Sequence, residues 1–276
     1  MALKNLLKNK LTKKELSLAP SSFDIIGGKE KAVAIVEIDD KIKKRRKTIA
    51  NAIMKQHKNV KSVLLKQSER KGVERLREYK VIAGDKNTEV IHKENNCRFL
   101  IDIQKAYFSQ REGTERDRIA KLVKKNEVVM VFFAGIGPFN IVISKKSMPK
   151  KTIGIEINPE AVRYFWQNIK LNKIENTQII LGDVKERAKE FYGLCNRVLM
   201  PLPESSNKFI EEAIQCLKKK GVCHYYCFIS DDMAKHKAAI RKTAKKLNRK
   251  IKFIGISKVL PYSPGIWKTR VDFEVD

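Results

Sequence analysis

Apolar residues in this chain fall into short, unalternating runs separated by charged stretches of helical period, the pattern of a parallel sheet covered on both faces. The run that organises the rest spans 128–143, Val-Val-Met-Val-Phe-Phe-Ala-Gly-Ile-Gly-Pro-Phe-Asn-Ile-Val-Ile. It reads as a strand buried on both faces, broken by a turn at Gly135 and Gly137, where the missing Cβ atoms allow a sharp bend. A second short strand, 152–156, ends in Glu156. Asn158 then suits a helix N-cap, Pro159 the first helical position and Glu160 the positive helix end. Val162, Phe165, Trp166 and Ile169 give that helix an i, i+3, i+4, i+7 face. A third run, 178–183, ends in Gly182-Asp183.

Upstream, the pattern predicts a smaller α/β unit. Residues 1–20 form a basic, helical segment, followed by strands at 25–28, 32–38, 60–65 and 81–84. Asp39 and Asp40 cap a helix that buries Ile42, Ile49, Ala50, Ile53 and Met54. Its other face carries Lys43, Lys44, Arg45, Arg46 and Lys47. Residues 89–103 read as a hairpin turning at Glu94-Asn95-Asn96. The expected organisation is a basic segment at 1–20, a small α/β domain at 21–105 and a Rossmann-type domain at 106–276.

The order of a glycine turn, a carboxylate about twenty residues on and a second carboxylate after the third strand describes a nucleoside site. Glu156 is placed to accept ribose hydroxyls, and Asp183 to reach an adenine edge. Asn140 stands where the third glycine of Gly-x-Gly-x-x-Gly would be. That disfavours the close helix packing beneath a pyrophosphate, and S-adenosylmethionine fits better than a dinucleotide. At the joint between the domains, Thr114 suits an N-cap with Asp117 as its capping-box partner, and Ile119, Leu122 and Val123 give the buried side. Glu115 then sits in the first turn, where the helix dipole favours its ionised form. Two readings stay open for it: a general base beside the pocket, or a surface carboxylate paired with Arg118 or Arg111.

Charge narrows the partners. The chain has 59 Lys and Arg against 31 Asp and Glu, net +28, so a polyanion is implied, and nucleic acid suits a chain with a nucleoside site. A lysine-rich thermophile surface would bring matching glutamate, which is lacking. The Lys43–Lys47 run reads as phosphate-contacting, with a solvated helix face as the plainer alternative. No apolar run is long enough for a membrane span, which points to a cytoplasmic protein with no membrane partner. Cys223 and Cys227 share one face of an apolar strand and read as core residues rather than metal ligands.

Taken together, several motifs resemble the archaeal and eukaryotic tRNA (guanine-37-N1)-methyltransferases. They are Tyr107-Phe-Ser-x-Arg-x-x-Thr-Glu-Arg116, Phe133-Ala-Gly-Ile-Gly-Pro-Phe139, Ile157-Asn-Pro-Glu-Ala, Asn168-Ile-Lys-Leu-Asn172, Gly182-Asp183 and Tyr262-Ser-Pro-Gly265. Phe23-Asp-Ile-Ile-Gly27 and His92-Lys-Glu-Asn95 match as well. The resemblance implies an α/β fold in which a Rossmann-type class I methyltransferase domain follows a smaller RNA-facing α/β domain. It implies S-adenosylmethionine as cofactor, the anticodon stem-loop of tRNA as partner, no obligate protein partner, and methyl transfer to N1 of guanine 37. It places the general base on Glu115 and a catalytic arginine on Arg75. Cofactor contact falls on Tyr107, Arg116, Phe133, Gly135, Gly137, Glu156, Ile157, Asp183, Val184 and Pro201.

The chain departs from the family pattern in three places. Val131 replaces a usual Asp before the cofactor loop. Met200-Pro201-Leu202-Pro203 replaces Asn-Leu-Pro. Sequence matching the small domain that many members use at the tRNA elbow is not seen. Methylation of a tricyclic wyosine precursor at position 37 is the nearest alternative, and a tRNA-binding protein without catalysis is a more distant one. A nucleotide-dependent oxidoreductase would rest on the glycine turn alone.

Overall fold

The computed structural model describes residues 3–69, 72, 74, 76–230 and 233–276. The chain divides into two compact units, 1–108 and 109–276.

The first unit contains α1 (Leu3–Leu7), α2 (Lys13–Leu18), β1 (Asp24–Gly27), β2 (Ala32–Val36), α3 (Arg46–Gln56), β3 (Val60–Lys66), β4 (Tyr79–Gly84), β5 (Val90–Glu94) and β6 (Cys97–Ile101). β1 to β4 form one sheet in sequence order, with β2 and β3 parallel and the outer pairs antiparallel. β5 and β6 form the expected hairpin, turning at Asn95 and Asn96 with φ of 51° and 60°. Asparagine tolerates this left-handed region better than most residues.

The basic N-terminal segment is integral to this unit. Leu3, Leu7, Leu11 and Ala19 are buried in one cluster with Ala34, Val36, Ile49, Ile53 and Val63. Lysines alternate with leucines there because only one face of each short helix is covered. The single helix expected after Asp39-Asp40 begins as a 3-10 turn, Asp40–Arg45, whose N-cap Asp39 accepts from the Lys41 N–H at 2.8 Å. The α-helical geometry starts only at Arg46.

The second unit contains α4 (Gly113–Leu122), β7 (Val128–Phe132), α5 (Pro138–Lys146), β8 (Lys151–Glu156), α6 (Pro159–Asn172), β9 (Thr177–Leu181), α7 (Val184–Arg187), β10 (Cys195–Met200), α8 (Ile210–Cys216), β11 (Leu217–Ile229), α9 (Ala234–Lys246), β12 (Ile251–Ser263) and β13 (Ile266–Val275). Its seven strands are ordered β12-β13-β11-β10-β7-β8-β9. β7 to β11 run parallel, and β13 runs antiparallel to both of its neighbours, β11 and β12. The order reverses at β7, so the carboxyl ends of β7, β8 and β10 open the crevice in which such sheets bind ligands. Asn158 caps α6 as its position suggests, accepting from the N–H groups of Glu160 and Ala161.

Two helix faces differ from the periodic reading. In α6, Phe165 and Ile169 are buried, but Trp166 is half exposed; Tyr164 and Asn168 take the inner face. In α4, Ile119 and Val123 are buried with Ala120, while Leu122 is 42% exposed. Cys223, Tyr225 and Cys227 point together into the apolar cluster under β11.

Candidate active site

The glycine turn after β7 is shaped by the neighbouring helix. Gly137 has φ of 81°, and a Cβ there would lie 2.0 Å from the Phe165 ring of α6. Gly154 on β8 faces the same ring, at 2.6 Å from its own would-be Cβ. The turn is thus glycine because α6 packs onto it, in addition to any need for a ligand to approach. Gly135 (φ 57°) and Phe133 (φ 55°) are also left-handed. Phe133 is wedged edge-on between Phe132 and Phe209. Asn140, at the third-glycine position, is fully buried, and its amide finds no hydrogen-bond partner among the described residues.

Glu156 ends β8 and is 8% exposed. Its Oε2 accepts from the Gly135 N–H at 2.7 Å and its Oε1 from the Asn158 N–H at 2.8 Å. The carboxylate therefore ties the turn after β7 to the turn after β8. An ionised carboxylate can accept several hydrogen bonds at once. Beside it Ile157 is an exposed apolar side chain. Asp183 is exposed and caps α7, accepting from the Lys185 N–H at 2.8 Å; Val184 behind it is buried.

The capping box expected at Thr114 does not form. A 3-10 turn, Gln110–Glu112, leads directly into α4, which starts at Gly113, and no side chain caps it. Asp117 pairs instead with Lys121 and Lys146. Glu115 stays in the first turn but is buried, 6% exposed. Its Oε1 accepts from the Tyr226 hydroxyl at 2.5 Å and from Arg270 Nη1 at 3.2 Å. Arg118 Nη2 also donates to Oε1, and Arg118 Nε reaches Oε2 at 2.9 Å. The surface ion pair with Arg118 is therefore only part of the picture, since two further donors come from the sheet. Burial, reinforced by the adjacent Glu115 carboxylate, pushes the Tyr226 phenol well above its usual pKa.

Polar pairing continues behind Glu115. Arg270 Nε lies 2.6 Å from Asp272 Oδ1, which also receives His224 Nδ1 at 2.6 Å. His224 Nε2 lies 2.6 Å from Arg197 Nη1. Arginine can only donate, so Nε2 accepts and the imidazole proton sits on Nδ1. Burial lowers the His224 pKa and keeps the ring neutral, against the opposing pull of Asp272. Arg197 is held in turn by both oxygens of Glu127 at 2.8 and 3.0 Å. To one side, buried Lys268 bonds Glu112 and the Pro201 carbonyl, each at 2.9 Å.

Family comparison decides what this unit is. Residues 90–254 match the TRM5/TYW2 methyltransferase domain, and residues 3–88 match the TYW2 N-terminal domain. The chain belongs to the TRM5/TYW2 methyltransferase family. It is 41% identical over 258 residues to the tRNA (guanine(37)-N(1))-methyltransferase Trm5b of Pyrococcus abyssi, covering 93% of this chain and 75% of that one. It is 34% identical over 260 residues to the tRNA (guanine(37)-N(1))/4-demethylwyosine(37)-methyltransferase Taw22 of Nanoarchaeum equitans, covering 75% and 84%.

Among solved structures, the complex of aTrm5 with tRNALeu matches with a TM-score of 0.85 at 35% identity, covering 100% of this chain and 78% of that one. TYW2 of M. jannaschii in complex with AdoMet matches with a TM-score of 0.72 at 31% identity, covering 92% and 99%.

In this TRM5/TYW2 member, the residues after β7, β8, β9 and β10 named from the sequence all lie at the carboxyl edge of the second sheet: Phe133, Gly135, Gly137, Glu156, Ile157, Asp183, Val184 and Pro201. Pro201 meets Lys268 through its backbone carbonyl. Arg116 is 1% exposed, donates to the Ser109 carbonyl at 2.8 Å and lies over the Phe139 ring at 5.9 Å. Tyr107 ends the first unit, half buried. Arg75 lies outside the described residues.

In the basic run, Lys43, Lys44, Arg45 and Lys47 are all exposed and Arg46 half-buried; Lys43 pairs with Asp40 and Arg45 with Glu15. Sequence reasoning missed Tyr226, Arg270, Asp272, His224 and Arg197. The available signal was alternation in 267–275, with Lys268, Arg270, Asp272 and Glu274 on one face.

Among the described residues no helix is long and apolar enough to cross a membrane, and no cluster of His, Cys, Asp and Glu is arranged to hold a metal.

Proposed function

We propose that the chain transfers a methyl group from S-adenosylmethionine to N1 of guanine 37 of tRNA, with Glu115 as general base. The observation that carries this reading is the buried Glu115 carboxyl, met by the Tyr226 hydroxyl and Arg270, in a family whose Pyrococcus abyssi relative bears that activity in its name. The residues present suit the cofactor. Glu156 presents a carboxylate to ribose hydroxyls at the end of β8, Ile157 offers an apolar surface to adenine, and Asp183 an exposed carboxylate beside it. When bound, S-adenosylmethionine supplies an electrophilic methyl group whose bonding pair stays on sulfur.

The protein's own residues handle the proton and the charge. The N1–H bond breaks toward Glu115, and the N1 pair forms the new bond to the methyl carbon. Charge that grows on O6 is met by a donor, the role assigned to Arg75. Arg116, pinned by the Ser109 carbonyl and Phe139, braces the strand of chain that leads into α4. Exposed Lys44 and Lys47 are placed to track RNA phosphates.

The test is single-turnover methylation of transcripts carrying guanine or adenine at position 37, with the product nucleoside identified by mass spectrometry. N1-methylguanosine from the first transcript and no product from the second is expected. Absence of methylation at guanine 37 refutes the reading. The double name of the Nanoarchaeum relative supports a second reading, methylation of 4-demethylwyosine at the same position. A tRNA bearing that base, run in parallel, separates the two.

A further inference from the structure

β11 and β13 pair antiparallel with His224 opposite Asp272 and Tyr226 opposite Arg270. Side chains alternate along strands, so His224 and Tyr226 share one face, as do Lys268, Arg270 and Asp272. The opposite face carries Cys223, Tyr225, Cys227, Val271 and Phe273 into the apolar cluster. A polar layer therefore lies between the sheet and α4, and α4 brings Glu115 into it.

The charges in this layer balance. Glu127, Asp272 and Glu115 face Arg197, Arg270 and Arg118, and Lys268 faces Glu112. Among the described residues, the groups that bond Glu115 are Tyr226 from β11, Arg270 from β13 and Arg118 from its own helix. Ser257 of β12 approaches the other end of Arg270 at 3.5 Å.

The donors are not equivalent. Tyr226 and Arg270 are buried within the sheet and both bind Oε1. Among the described residues, Oε2 receives only Arg118 Nε, and the Arg118 side chain is 34% exposed. Each carboxylate oxygen has about two acceptor directions, so Oε1, with donors from Tyr226, Arg270 and Arg118, is filled, whereas Oε2 has room for a new proton. Tyr226 and Arg270 have nowhere to go, whereas Arg118 can swing toward solvent.

We propose that Tyr226 and Arg270 are positioning residues for Glu115: they anchor Oε1 and leave Oε2 as the oxygen that takes the N1 proton. Asp272, His224 and Arg197 hold Arg270 in register from behind. This rests on the reading of Glu115 as the base.

The test is a double-mutant cycle in the full chain. Tyr226→Phe removes one hydroxyl and keeps the ring, so it carries the test even if Arg270→Gln fails to fold. Single-turnover methylation of a guanine-37 transcript at saturating S-adenosylmethionine is expected to slow roughly 10- to 100-fold in Tyr226→Phe, the scale of a hydrogen bond to a charged group. Cofactor and tRNA dissociation constants, measured separately, stay at their wild-type values. In the Glu115→Gln background, Tyr226→Phe adds no further slowing, because the group it positions is gone.

A second readout needs no cofactor. In protein labelled with carbon-13 glutamate, the Glu115 carboxyl, assigned by its loss in Glu115→Gln, titrates about one pH unit higher in Tyr226→Phe. A wild-type rate in Tyr226→Phe, an unmoved titration, or full additivity with a slow Glu115→Gln overturns the positioning role and leaves the base reading standing. A wild-type rate in Glu115→Gln overturns both.

Discussion

Replacing Glu156 with alanine probes the cofactor site and the fold together. Its two oxygens accept the Gly135 and Asn158 N–H groups, and both bonds are lost on truncation. A buried donor left unpaired costs about 1–3 kcal/mol, so the pair costs about 2–6 kcal/mol of stability. At about 2–4 °C per kcal/mol for a unit of this size, Tm should fall by roughly 4–24 °C. The ribose hydroxyls lose a charged acceptor worth about 1.5–3 kcal/mol, which weakens the cofactor roughly 10- to 100-fold. Scanning calorimetry reads the first effect, and titration calorimetry at 25 °C on protein shown to be folded reads the second. tRNA affinity, measured by filter binding, should hold. Unchanged Tm and unchanged cofactor affinity together refute the reasoning. A lowered Tm with wild-type affinity leaves Glu156 as a brace between two turns and removes it from the ribose.

Three further perturbations test other parts of the structure. Gly137→Ala places a methyl group against the Phe165 ring at a left-handed φ, costing about 2–5 kcal/mol from overpacking and backbone strain; thermal unfolding checks this, and a Tm within a degree of wild type contradicts it. His224 is held neutral in the folded chain, with a pKa below its ordinary 6.5. The unfolded chain therefore takes up the proton first, and stability should decline as pH falls below about 6.5. In a His224→Gln variant the decline over that range should be shallower, and equal slopes refute the assignment. Alanine at exposed Lys44 and Lys47 together should reduce the slope of log affinity for tRNA against log salt by about 1–2, and an unchanged slope places the phosphates elsewhere.

The sequence made the β7-β8-β9 side of the seven-stranded sheet legible because each of these strands is an apolar run ended by a turn with its own chemistry. β7 ends in the glycine turn, β8 in Glu156 with the Asn158 cap, and β9 in Asp183. Helix faces were less legible. Trp166 has the right spacing for the buried side of α6, yet Tyr164 and Asn168 occupy that side. Periodicity locates a stripe only to within about one residue, and the packing of Phe165 on Gly137 and Gly154 fixes the rotation. Thr114 has the spacing of a capping box, but the 3-10 turn ahead of it supplies the helix start by backbone alone. Three-residue spacing does not reveal what the preceding residues do.

The least legible part is the one that holds Glu115. Alternating charge and hydrophobicity in 267–275 is the pattern of a strand with one wet face, and β13 is instead an interior strand between β11 and β12. Its charged face is buried because each charge meets an opposite one: Lys268 with Glu112, Arg270 with Glu115, and Asp272 with His224 and Arg270. Apart from Arg270 and Asp272, two residues apart on β13 itself, the partners lie on 3-10 and α-helical turns more than a hundred residues upstream or on the neighbouring strand, so a local window around β13 contains none of Glu112, Glu115 and His224. Removing one partner strands a buried charge at a cost of about 3–5 kcal/mol. A stretch of alternating Lys, Arg, Asp and Glu can thus be as deeply committed to the interior as a run of valines. Here that commitment serves the site: the charged layer on β13 supplies Arg270, and β11 supplies Tyr226, which is why a glutamate in the first turn of α4 can be buried with hydrogen-bond donors around it.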